Sequence, residues 1–101
     1  MKKYCVIRAN GAGVFAGDVE VDRNGVPVVK DGSVVAENVR KLYYWSGACA
    51  VEQIAVDGVM NPNNCQFTVT VEKMLILNVL QIAVCTEKAE ANIKAVSEWK
   101  K

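Results

Sequence analysis

Residues 14 to 21 set the tightest limit on what this chain can become. Their side chains sort with a period of two, Phe15, Gly17, Val19 and Val21 on one side and Val14, Ala16, Asp18 and Glu20 on the other. A helix would scatter these positions around its circumference, whereas an antiparallel strand with unequal faces separates them. Asp22-Arg-Asn-Gly25 follows at once, and Asn-Gly tolerates the positive φ that a tight hairpin needs. The spacing predicts a return strand over 26–30, with Pro27 holding it near a sheet edge because proline lacks the N–H an interior strand must donate.

The rest of the chain is read around this hairpin. Tyr4 to Ala9 is β-branched and alternating, a first strand, and Asn10-Gly-Ala-Gly13 turns the chain into the second. Val34 to Val39 fits no single class. Residues 38 to 45 read as a longer strand, with Arg40, Leu42 and Tyr44 facing one way and Val39, Lys41, Tyr43 and Trp45 the other. A helix is expected after Ser46, with Ser46 as its N-cap, Val51, Ile54 and Ala55 as its apolar stripe and Gly58 as its C-terminal cap. Phe67 to Val71 and Met74 to Val84 read as further strands with a bend near Asn78, and the runs at 75–77 and 79–82 are apolar enough for a sheet centre or a subunit interface. A last helix follows Thr86, its cap, with Ala89, Ile93 and Val96 facing inward. The expected fold class is α+β, a small, mainly antiparallel sheet with two helices, in a single domain over 1–101.

A chain of 101 residues buries only about two-thirds of the surface its unfolded form exposes, so association between chains is expected to add stability. With 51% hydrophobic and 23% charged residues it is too apolar for disorder and too interrupted by charge for a membrane span. The net charge of +1 comes from interspersed residues, which excludes the basic footprint of a duplex-nucleic-acid binder. Arg8 and Asn10 break the apolar stretch after the two N-terminal lysines, so no signal peptide is expected and the placement is cytoplasmic. Cys5, Cys49, Cys65 and Cys85 lack paired metal spacing and read as small packing residues.

The chain has no histidine, which removes the commonest general acid/base and the commonest catalytic metal ligand together. No enzyme activity, catalytic residue, metal or cofactor is expected. Binding chemistry has better support. Lys41-Leu-Tyr-Tyr-Trp-Ser-Gly-Ala48 joins three of the seven aromatics to a helix start, whose free N–H groups and dipole favour an anion. In that reading Ser46, Gly47 and Ala48 cradle a phosphate, Tyr43 and Trp45 offer a stacking plane, and Arg40 or Arg8 supplies a charged fork. The competing reading makes Tyr43 and Trp45 core or interface residues and Ser46-Gly47 a plain cap.

The strings Val6-Ile-Arg8, Gly13-Val-Phe-Ala-Gly17, Arg40 to Ala48, Gln53 to Gly58 and Val84-Cys-Thr-Glu-Lys-Ala89 resemble a family of small uncharacterised proteins of tailed phages and prophages, a domain of unknown function with an R-x-(W/Y)-Y-W-x-G-A core. This chain departs from it around 32–37, where the family has a shorter hairpin. The resemblance implies a viral origin and an ordered domain. By analogy of size, origin and site chemistry, the expected function is a homo-oligomeric sponge in the host cytoplasm that sequesters a nucleotide-derived immune signal of ADP-ribose type. The alternative is a protein-interaction module that inhibits a host protein or joins a phage assembly, anchored by Tyr43 and Trp45.

Overall fold

A computed structural model describes residues 1–101. Six strands, β1 (Lys2–Ala9), β2 (Gly13–Glu20), β3 (Val34–Tyr44), β4 (Gln66–Phe67), β5 (Val71–Ile76) and β6 (Val79–Val84), make one antiparallel sheet, and two helices, α1 (Val51–Asp57) and α2 (Glu87–Ala95), complete an α+β fold. The strand order is β4-β3-β2-β1-β6, and β5 lies beside β4 along the same side of β3. No helix is long and apolar enough to cross a membrane.

The connection between β5 and β6 determines the sheet's shape. These strands occupy opposite edges, yet only Leu77 and Asn78 join them. Ile76 and Val79 can then be no more than about 11 Å apart, whereas five strands laid flat would hold the edges about 19 Å apart. The sheet therefore curls until its edges converge at the bend. Asn78, with φ of 57°, accepts from the Asn10 N–H at 2.9 Å, and the Val79 N–H donates to the Gly32 carbonyl at 2.8 Å, tying the bend to both sides. A bulge adds curvature: Asn38 and Val39 together oppose Gly17, with Asn38 at φ 50°. A Cβ on Gly17 would lie 2.8 Å from that of Val39, so only glycine fits there.

Curling gives the sheet two buried faces. Cys5, Ile7, Phe15, Val19, Val39 and Ile76 fill the inside. Tyr4, Val6, Ala16 and Leu42 pack outward against Val51, Ile54 and Ala55 of α1 and Ile93 of α2. Each fully buried Ile or Leu contributes about 2 kcal/mol, so the two helices are held mainly by this contact. The expected cap of α2 is present: the Ala89 N–H donates to Thr86 Oγ1 at 3.1 Å, and Ala89, Ile93 and Val96 are buried.

Three expectations fail, the first being the strand over 67–71, which is split between β4 ending at Phe67 and β5 starting at Val71. The Asp22–Val26 turn forms, with Asn24 and Val26 N–H groups donating to Asp22 Oδ1, but residues 26–30 make no return strand. Only a Val21–Pro27 bridge remains, because Pro27 has no donor and the chain leaves the ladder after Val28 donates to the Glu20 carbonyl. In addition, α1 begins at Val51 with Ala50 at the N-cap and no side-chain cap bond, so Ser46 does not cap it.

Candidate functional site

The aromatic segment closes β3 through a second irregularity. Leu42 pairs with Phe67 and Tyr44 with Gln66, so Tyr43 is an extra residue opposite a continuous β4. The insertion shifts the phase of alternation. Tyr43 and Tyr44 both project to solvent, and Trp45 returns to the side of Leu42, packing half-buried against the outer core with Ala48 and Cys65. The expected pairing of Tyr43 with Trp45 on one face is therefore corrected.

Tyr43 instead meets Trp99, which carries no role in the sequence reading. Their rings stack with centroids 5.2 Å apart and planes inclined by 14°, and the two residues remain 59% and 47% exposed. The tail reaches Tyr43 as a short parallel addition to β4: Glu98 bridges Phe67, and the Trp99 N–H donates to the Phe67 carbonyl at 2.8 Å.

Arg40 holds that tail. The residue is 4% exposed, and all five guanidinium N–H groups donate to backbone carbonyls. Nε reaches Thr68 at 3.1 Å, Nη1 reaches Ile93 at 3.1 Å and Val96 at 2.7 Å, and Nη2 reaches Phe67 at 3.2 Å and Ser97 at 3.4 Å. The charge also sits over the Phe67 ring, 5.4 Å from its centroid. Burial pushes the guanidinium pKa down, and the negative end of α2, whose Ile93 carbonyl and the following Val96 carbonyl face the cation, compensates it. Arg40 thus has no donor left for a ligand. It joins β4, the end of α2 and the tail, in place of the anion-binding role expected of it.

The expected phosphate cradle is also a joint. The Ser46 N–H donates to the Cys65 sulfur at 3.4 Å, Ser46 Oγ accepts from Asn61 Nδ2 at 3.1 Å, and the Met60 and Asn61 N–H groups bond back to the Gly47 and Ser46 carbonyls. Gly47 sits at φ 92°. Ala48 packs on the outer core. Arg8 stands apart from all of these, exposed on β1 opposite Val14 and Gln81, and its charge helps hold the Glu52 carboxyl below its ordinary pKa, after the larger effect of the Gln81 hydrogen bond. The seven sequence-predicted site residues do not converge on one pocket.

A cavity of about 440 Å³ opens beside the stack, between the Pro62–Cys65 turn, the end of α2 and the Ser97–Trp99 tail. Trp99, Asn63, Cys65, Asn92 and Glu98 line it, and no lysine or arginine does. The Asn92 amide is committed, accepting from the Val59 N–H at 2.7 Å and donating to the Val59 carbonyl at 2.9 Å. No three His, Cys, Asp or Glu side chains gather as a metal would require. The arrangement offers an aromatic platform and a neutral-to-acidic hollow. A tryptophan in an otherwise polar tail was the one sequence signal for it.

No curated protein and no solved structure matches the chain. Residues 2–93 match a family described as a domain of unknown function (DUF6948), and the chain belongs to that family.

Proposed function

We propose that the chain is a non-enzymatic binding protein of phage or prophage origin whose partner is a protein gripped at the Tyr43–Trp99 step. The observation that carries this reading is the stack itself. Two large aromatic side chains remain half exposed although they are already locked against each other. Tyr and Trp dominate binding hot spots, and rings fixed before the encounter lose little entropy when a partner covers them. The absence of a cation from the neighbouring cavity favours a protein surface over a phosphate-rich ligand.

A second reading, sequestration of a nucleotide-derived immune signal in the host cytoplasm, draws on the cavity beside Trp99. Its volume of about 440 Å³ suits a nucleoside-sized group, with the indole as a stacking wall. The phosphates would have to lie outside the cavity.

Affinity capture from host lysate with the wild-type chain and with the Tyr43→Ala/Trp99→Ala double variant separates these readings. The protein reading expects one stoichiometric partner that the double variant loses. Ligand-free capture of nothing, together with a rise in Tm with a nucleotide signal that is recovered unchanged after heating, would replace it with sequestration. Recovery of a hydrolysed signal would make the protein an enzyme.

A further inference from the structure

We infer that β6 is a dimerisation edge, on which a second copy of this chain pairs β6 with β6 about a two-fold axis. This goes beyond the function proposed above and uses a different part of the surface. The Cys85 N–H donates to the Tyr4 carbonyl, and the register carries that phase through Val6–Ala83 and Arg8–Gln81. Ile82 and Val84 therefore turn their N–H and C=O groups away from β1. No other segment of the chain bonds them.

The three edges of the sheet are treated differently. The β4 edge is covered by the tail through the Trp99–Phe67 bond. Glu72 and Lys73 guard β5 with charge. β6, Val-Leu-Gln-Ile-Ala-Val, has neither charge nor proline, and its one irregularity is a bulge at Leu80 near its start, which leaves the stretch from Gln81 to Val84 without a device that keeps an edge from pairing with another chain. Val26, Val29 and Leu80 line a hollow beside this strand, Leu77 lies in the adjoining bend and Val84 ends the strand, and all five remain exposed. Exposed aliphatic side chains beside an unpaired strand edge mark an interaction site. A hollow of about 250 Å³ between 26–29 and 79–82 can take an apolar side chain from the second copy.

A second copy suits this edge because two-fold symmetry turns one edge strand into its own antiparallel partner and closes the assembly at two chains. With the two-fold axis at Ala83, Ile82 lies opposite Val84 of the second copy, and the two such pairs form four inter-chain hydrogen bonds. Native mass should be twice the 11.0 kDa of one chain at micromolar concentration. The Leu80→Lys/Val84→Lys variant should run as a single chain with an unchanged far-UV spectrum. In the wild type, amide exchange at Ile82 and Val84 should slow as concentration rises, a readout that holds even if the variant misfolds. A wild-type monomer, a variant that stays dimeric, or concentration-dependent protection at Glu72 and Met74 instead would overturn the assignment. So would a monomer that captures an extended apolar peptide on β6.

Discussion

The indole of Trp99 lies against the phenol ring of Tyr43, with centroids 5.2 Å apart, and this contact joins the end of the chain to the end of β3. Its position follows from backbone bonding more than from ring attraction. The Trp99 N–H is fixed on Phe67, and Arg40 holds the carbonyls of Val96 and Ser97 just before it. The platform is thus built on buried polar structure whose donors and acceptors are all in use, since no buried side-chain polar atom lacks a partner.

Trp99→Ala is expected to separate binding from folding. An exposed aromatic pair is worth about 1 kcal/mol, so urea unfolding should move only slightly. Partner affinity should fall by at least about 2 kcal/mol, roughly thirtyfold, as for a hot-spot anchor. Titration calorimetry with the captured partner reads the second quantity. Equal affinity of wild type and variant would place the binding surface elsewhere.

Arg40→Met is expected to do the reverse, destabilising the fold by about 3 kcal/mol or more, because five carbonyls lose the guanidinium and only those of Ile93 and Phe67 keep a backbone donor. Arg40→Lys should rescue little, since one ammonium cannot reach a fan of acceptors that a planar fork spans. The urea midpoint measures the loss, and Trp99 fluorescence should report early release of the tail. A variant as stable as wild type would show that water replaces the guanidinium without cost.

What was readable in this sequence was local. The alternation of β2, the Thr86 cap and the stripe of Ala89, Ile93 and Val96 are each set within a few residues, and each appears in the fold. Asn38 and Tyr43 were not readable in this way. An inserted residue in a strand shows only against its partner strand, so alternation carried past Tyr43 put Trp45 on the wrong face. The role of Arg40 was hidden for a similar reason: its acceptors lie 27 to 57 residues away and belong to the backbone, which leaves no side-chain signature. Ser46-Gly47 has the composition of a cap, but its hydrogen bonds run to a distant loop.

That joint makes Gly47→Ala a sharp test. A Cβ there would fall 2.7 Å from the Met60 and Asn61 nitrogens, and φ is 92°, so both space and backbone conformation oppose it. The loss should be about 2 kcal/mol or more by urea unfolding, with Ser46→Ala costing less because its hydroxyl makes one exposed hydrogen bond. A silent Gly47→Ala would mean that the loop is free to shift and leave the joint to other contacts.

Alkaline pH should unfold the protein through its cysteines before its lysines matter. Burial pushes the Cys85 thiol from 9.0 up to about 12, with the nearby Cys5 as a smaller cause, and the Cys5 thiol up to about 11, with Asp18 as a smaller cause. Below pH 9.0 both thiols are protonated in the folded and unfolded chains, and their contribution to stability is whole. Above it the unfolded chain releases protons that the folded chain keeps, so stability falls as pH rises toward about 11 for Cys5 and about 12 for Cys85. The slope is at most about 1.4 kcal/mol per pH unit for each thiol, and it comes chiefly from Cys5, which is fully buried, because solvent screens half-buried Cys85. Tyr4, its phenol raised by burial, bends the curve the same way above 10.0. Urea midpoints across this range should decline in wild type and flatten in Cys5→Ala after its lower starting stability is subtracted. An equal decline in both would assign the alkaline loss to Cys85, Tyr4 and the lysine ion pairs instead of Cys5.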